Sequence, residues 1–230
     1  MIRVIGFDIG GTLMEYKDMP FCWLDYYANA LDTAAEKLRL PLTGERRKRT
    51  LEVLRSFNPK VNYREVDYTP EHIFGAACAD WDFEYDLGRV IGEFFAAFHL
   101  TAYIYPDTLP VLEELKAAGY KIAALTDVAT AMPDELHKSY FPELMPYFDM
   151  YVSSVSCGRR KPNPKGLADI AEYFEAAADE MIYIGDERKD IECAHRFGCK
   201  GVHIDRRGRR AEFGQDYTIA DLNGLKKIII

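Results

Sequence analysis

No stretch of roughly 18 apolar residues occurs in the sequence, which excludes a bilayer-crossing helix. Residues 1–6 form only a short apolar run, with no long hydrophobic region and no small-residue cleavage site, so they do not read as a signal peptide. A positive excess is missing: 29 Lys and Arg stand against 37 Asp and Glu, a formal net charge of −8. That balance works against wrapping nucleic acid or docking on an anionic membrane, and neither partner is expected. Cysteines are few and odd in number (Cys22, Cys78, Cys157, Cys193, Cys199), with no C-x-x-C pair. They read as buried thiols in a reducing compartment, not as a disulfide framework or zinc site. A histidine pair at ligand spacing is lacking, and His195 and His203 read as structural or surface residues. Internal repeats and low-complexity segments are absent too. The cytoplasm is the expected compartment.

What is present is the composition of a globular protein, 48% apolar and 29% charged, which excludes a disordered chain, a collagen and a membrane protein. A chain of 230 residues suits one domain, or one domain with a modest insert. Ile2–Asp8 is a short apolar run ending at Gly10-Gly11, the pattern of a buried strand and a tight turn. From about Tyr16 to His99 the periods are helical. Leu24, Ala28, Leu31, Ala35 and Leu38 step along one face, as do Leu87, Ile91, Phe94, Phe95 and Phe98. Pro41, Asn58-Pro59 and Thr69-Pro70 divide this stretch into about four helices. It holds half of the aromatic residues, which predicts a small helical unit with its own core. Its basic residues 43–60 and acidic residues 65–93 read as solvated helix faces.

After Pro106 helix and strand alternate: helix Asp107–Ala118, strand Lys121–Leu125, strand Met150–Ser154, helix Pro164–Phe174, strand Met181–Ile184, helix Glu187–Phe197 and strand Gly201–Ile204. Such alternation predicts an α/β fold with a doubly wound parallel sheet, the first strand pairing into it and the helical stretch inserted behind that strand.

In open α/β sheets ligands bind beyond the carboxyl ends of strands. Those ends carry Asp8, Thr126-Asp127 and Gly185-Asp186, with Asp190 four residues on, while Lys161 lies in the loop Arg160–Pro164. Asp8 and Asp186 are hard oxygen donors that can share one Mg²⁺, and Asp190 can ligate or orient its waters. Asp8 can also attack phosphorus. Gly10, Gly11 and Thr12 free the backbone to approach a phosphate. Thr126 can donate to a phosphate oxygen, and Lys161 can neutralise both phosphate and Asp8.

The segments FDIGGTL (Phe7–Leu13), ALTD (Ala124–Asp127), GRRKPNP (Gly158–Pro164) and YIGDERKDI (Tyr183–Ile191) resemble, in this order, four motifs of the haloacid dehalogenase-like hydrolase superfamily. The subgroup resembled carries a helical cap after the first motif, and the resemblance covers essentially the whole chain. It implies a Rossmann-like core of residues 1–14 and 101–230, a mobile helical cap of residues 15–100, and Mg²⁺-dependent two-step phosphoryl transfer from a small phosphorylated metabolite. By the same resemblance Asp8 is the nucleophile, and Asp8, Asp186, Asp190 and the carbonyl of Gly10 hold the metal. Gly11, Thr12, Thr126, Asp127 and Lys161 contact the substrate, with Thr126 and Lys161 also serving catalysis.

The departure is Gly10, where phosphatases of this superfamily carry a second Asp as general acid and base. Such help is worth about 10²–10⁴ in rate. The principal expectation is a phosphatase whose leaving groups need no protonation, acyl or aryl phosphates, or one in which another carboxylate such as Glu15 substitutes. The alternatives are a phosphonoacetaldehyde-hydrolase-like enzyme using Lys17, Lys37, Lys48 or Lys60, a dehalogenase, or a catalytically retired phosphate-ligand binding protein. Arg206, Arg207, Arg209 and Arg210 read as a solvated loop near the active edge.

Overall fold

The first strand, β1 (Val4–Phe7), is buried along its whole length. Such a run needs a neighbour on each edge and cover on both faces. In the computed structural model, which describes residues 1–19 and 22–229, it has all four. β1 pairs in parallel with β4 (Lys121–Thr126) on one side and β6 (Met181–Gly185) on the other. β5 (Met150–Ser153) extends the sheet beyond β4. β7 (Lys200–Ile204) and β8 (Tyr217–Ile219) extend it beyond β6. Among the described residues this gives six parallel strands in the order β5-β4-β1-β6-β7-β8. One face is covered by α5 (Thr108–Ala117), whose Val111, Leu112 and Leu115 meet Phe7, Ile122 and Ile184. The other is covered by α8 (Lys165–Phe174) and α9 (Arg188–Phe197), which bury Leu167, Ile170 and Cys193 against Leu125 and Tyr183. All five cysteines are free thiols.

Between β1 and the second half of the sheet run four helices: α1 (Tyr27–Leu38), α2 (Gly44–Ser56), α3 (Pro70–Ala77) and α4 (Leu87–Ala96). Their starts are written locally. The Thr43, Thr69 and Asp86 side chains accept the amides of Arg46, His72 and Arg89, and Pro70 occupies the first turn of α3. The aromatic excess is spent on a core of its own, where Phe74, Phe94, Phe95 and Phe98 pack with ring centroids 5.2–6.5 Å apart. Val128 and Met132, from the loop after β4, join that core.

Some elements differ from the sequence expectation. β2 (Met14–Tyr16) and β3 (Ala102–Ile104) form an antiparallel pair at the two ends of the insert. These strands and β8 have three residues each, too few to show alternation. The strand expected to reach Ser154 stops at Ser153, whose hydroxyl accepts the Ser156 amide and starts α7 (Ser154–Cys157). A further helix, α6 (Asp134–Ser139), precedes β5. The basic face of α2 is paired, not merely solvated: Arg46 with Asp82, Arg47 with Asp32 and Arg49 with Asp80. Exposed pairs of this kind are worth little each, so they orient the insert more than they stabilise it. No helix among the described residues is long and apolar enough to cross a membrane.

Candidate active site

The carboxyl ends of β4, β1 and β6 lie side by side, and each delivers one polar residue: Thr126, Asp8 and Asp186. Lys161 comes in from the loop after α7 and is almost wholly buried. Its Nζ lies 2.6 Å from Asp8 Oδ1 and 2.6 Å from Asp190 Oδ1. It also donates to the Tyr183 hydroxyl at 3.0 Å, which in turn donates to the Leu125 carbonyl at 2.7 Å. The ammonium thus hydrogen-bonds Asp8, Tyr183 and, at 3.4 Å, the Leu125 carbonyl, while its contact with Asp190 is an ion pair. Asp190 is tied from behind as well, its Oδ2 accepting the Glu187 amide at 2.8 Å. Two glycines make this closeness possible. A Cβ on Gly185 would sit 2.3 Å from Asp190 Cγ, and one on Gly11, at φ 78°, would sit 2.3 Å from Asp186 Oδ2.

Ligand atoms of Asp8, Asp186 and Asp190 all lie within 4.8 Å of one another. Three carboxylates face one lysine. Burial pushes Asp8 up to about 7, with Asp190 adding to the rise and Lys161 opposing it. Burial, then Asp190 and Asp8, push Asp186 up to about 8. Asp186 Oδ1 is buried and has no hydrogen-bond partner. An orphaned oxygen in a surplus of hard anionic donors fits a small divalent cation such as Mg²⁺.

These shifts have a consequence for the metal-free protein. Both groups bind protons more tightly folded than unfolded, so their stabilising contribution is complete below the unfolded value near 3.8 and is lost as pH rises through about 7 to 8. Thermal unfolding in chelator is expected to show a stability loss on the order of a few kcal/mol between about pH 6 and pH 8.5. A flat profile across that range would contradict this electrostatic picture.

A cavity of about 1000 Å³ opens above the carboxylates, between the sheet edge and the insert. Asp8, Gly10, Gly11, Thr126 and Asp186 form part of its lining; Tyr16, Trp23 and Lys60 reach it from the insert side. A Cβ added to Gly10 would meet nothing within 4 Å. Glu15 also lines it, its Oε2 accepting from the Tyr105 hydroxyl at 3.0 Å and lying 3.2 Å from Arg207. Of the four insert lysines considered from sequence, Lys60 lines the cavity, whereas Lys37 pairs with Glu93, Lys48 with Glu52, and Lys17 lies over the Tyr103 ring.

The structure therefore brings Asp8, Thr126, Lys161, Asp186 and Asp190 together. Gly11 lines the cavity, while the turn it belongs to spends backbone amides on itself. The Gly11 amide donates to the Met14 carbonyl and the Thr12 amide to the Ile9 carbonyl, closing the turn on itself, and Thr12 is fully buried off the cavity wall. Asp127 lines the cavity as well and is held by cations. It accepts the Lys161 amide at 3.0 Å and lies 3.2 Å from Lys189 and 3.9 Å from Arg160. Against the cost of burial, Lys189, Arg160 and Lys161 hold its pKa down to about 2, so it is a fixed anion that organises cations. Arg206 is likewise no solvated loop residue. It donates to the Thr12 carbonyl, pairs with Asp107 and lies 3.9 Å over the Tyr105 ring. His203 is buried against Phe213, and His195 pairs with Asp216 at the surface, as the sequence suggests. Sequence reasoning missed Tyr183, which reads as one more apolar position of a buried strand, and Lys189, which reads as a surface charge.

A model of the haloacid dehalogenase-like hydrolases matches residues 2–198. The chain is 27% identical over 203 residues to the phosphoglycolate phosphatase of Aliivibrio fischeri, covering 86% of this chain and 82% of that protein. Among solved structures it is similar to a HAD phosphatase from Thermococcus onnurineus (TM-score 0.64, 22% identity, 99% and 98% of the two chains covered). It is also similar to a 2-haloacid dehalogenase from Pseudomonas syringae (TM-score 0.70, 19% identity, 100% and 98% covered). At these identities the two structures establish a shared fold.

Proposed function

The chain belongs to the haloacid dehalogenase-like hydrolase family, and from that membership we propose that it is a Mg²⁺-dependent phosphatase of a small phosphorylated metabolite that takes the phosphoryl group onto Asp8. The observation that carries this reading is the contact of Lys161 with Asp8 inside a carboxylate trio that has an orphaned oxygen. Asp8, Asp186 and the Gly10 carbonyl, with Asp190 behind them, would hold Mg²⁺, which when bound neutralises phosphate oxygens. Millimolar Mg²⁺ is then expected to remove the pH-dependent stability loss of the wild type, and to leave Asp186→Asn largely unshifted.

An Asp8 oxygen attacks phosphorus, and the ester oxygen leaves with the bonding pair. Lys161 lowers the repulsion between Asp8 and the phosphate dianion. Thr126, at the end of β4 beside the cavity, donates to a phosphate oxygen. Water then breaks the aspartyl-phosphate. Gly10 offers no side chain to protonate the leaving oxygen or to deprotonate that water. The preferred substrates are therefore aryl or acyl phosphates, whose leaving groups depart as stable anions. The relatives' names make phosphoglycolate the first alkyl ester to compare, and a poor substrate is expected. The helical insert, residues 15–100, serves as cap over the core of residues 1–14 and 101–230.

Rapid mixing with p-nitrophenyl phosphate and Mg²⁺ tests the proposal. The expected course is a burst of one p-nitrophenolate per chain, then slow turnover, with the phosphoryl group recovered on Asp8 by mass spectrometry. No Mg²⁺-dependent release from p-nitrophenyl phosphate or acetyl phosphate would sink it. One observation favours a second reading, a phosphonoacetaldehyde-hydrolase-like enzyme: Lys60 lines the cavity, and burial draws its ammonium pKa down, toward a nucleophilic amine. Borohydride capture of Lys60 on that aldehyde would be its signature.

A further inference from the structure

Apart from the carboxylate trio, the molecule buries a second charged cluster. Asp67, in the insert between α2 and α3, and Arg160, beside Lys161, have side chains 2% and 8% exposed. Arg160 Nη1 donates to Asp67 Oδ2 at 2.6 Å and to the Val128 carbonyl at 3.0 Å. Arg64 holds the other oxygen of Asp67 at 2.6 Å. A buried ion pair contributes little net stability, because desolvation consumes most of the attraction. What it supplies is a fixed direction.

That direction converges on Lys161. The insert and the lysine loop are zipped by a short antiparallel bridge between Val66 and Arg159. Its hydrogen bonds run from the Asp67 amide to the Gly158 carbonyl and from the Arg160 amide to the Glu65 carbonyl, both 3.0 Å. The next amide, that of Lys161, donates to Asp127 Oδ1 at 3.0 Å. Arg160 Nη2 stands 3.9 Å from Asp127 Oδ2, short of a direct bond, because Asp67 holds the guanidinium on its far side. With Asp67 neutralised, Asp127 becomes the strongest anion within reach of Arg160. The guanidinium then closes that gap and turns Asp127 away from the Lys161 amide.

We propose that Asp67 is a positioning residue for Lys161, acting through Arg160 and Asp127, so that docking of the insert and placement of the lysine against Asp8 are one event. The kinetic consequence rests on the phosphatase reading; the placement itself does not. Asp67→Asn, nearly the same shape without the charge, is expected to slow the p-nitrophenolate burst about 10- to 100-fold with KM little changed. In a Lys161→Met background the same substitution should cost less than about twofold, since there is no lysine left to place. Amide hydrogen exchange supplies a readout that needs no activity. The Arg160 and Lys161 amides should exchange faster in Asp67→Asn, while those of β1 and β6 keep their protection. Equal cost in both backgrounds, or unchanged exchange at Arg160 and Lys161, overturns the proposal and leaves the cluster a simple staple. A wild type that turns over no phosphate, with faster exchange at those two amides in the variant, defeats the phosphatase reading but not the positioning.

Discussion

Gly10→Asp is expected to raise steady-state turnover of alkyl phosphates about 10²–10⁴-fold, the usual worth of a positioned acid and base. The site is already open to it. A Cβ at residue 10 meets no atom within 4 Å, and the residue lines the same cavity as Asp8 and Thr126. A new carboxyl there would face the cavity beside Asp8, where in its protonated form it could donate to a leaving alkoxide. Once that proton is given, the carboxylate can take one from water and release Asp8. The p-nitrophenolate burst should therefore vanish in the variant, because breakdown of the aspartyl-phosphate no longer lags its formation. Gly10→Ala is the control: with nothing to clash against, it should keep wild-type rates. Equal rates for Gly10→Asp and Gly10→Ala on glycolate and glycerol phosphate esters would mean that another group already does this work, and Glu15 on the cavity wall would be the next residue to change.

Asp8→Asn is expected to abolish Mg²⁺-dependent turnover and, in chelator, to make the protein more stable at every pH above about 5. The two effects have one origin. The amide cannot form an acyl phosphate, and it removes one of three carboxylates that share Lys161. Below about pH 4 the wild-type carboxyl is protonated in both the folded and the unfolded chain, so the two proteins should unfold alike. Between there and about pH 7 the unfolded wild type gives up a proton that the folded one keeps, so the variant gains an advantage on the order of a few kcal/mol, constant at higher pH. Lost activity with lost stability would instead mark Asp8 as a structural residue. Retained turnover would place the covalent step elsewhere.

Asp8, Thr126 and Asp186 were legible in sequence because each closes an apolar run, and such runs in an alternating pattern fix both the strand and the edge at which it ends. Lys161 was legible by resemblance, through its Lys-Pro setting. What resisted reading was pairing between distant segments. Asp67 and Arg160 lie 93 residues apart, and each alone looks like one charge among many. The turn at Gly11 and Thr12 was hard to read for a different reason. A glycine-rich turn can offer its amides outward, but here the turn spends them on the Met14 and Ile9 carbonyls, a choice made by backbone geometry and not by residue type. The cations around Asp127 were hidden by distance along the chain, since Arg160 and Lys189 come from other elements. The three-residue strands lacked the length that periodicity needs.

The central place of β1 bears on how the chain reaches this state during synthesis. Its four residues are made before either partner strand, for Val4 pairs with Lys121 on one edge and with Met181 on the other. Between them comes an insert whose contacts are mostly among its own helices, α1 with α4 and α2 with α3. The insert can condense while β1 stays an unpaired apolar strand, more than a hundred residues of translation away from its first partner. During that interval β1 is an apolar strand with both edges open, a template for mispairing with another chain until β4 and β6 are made.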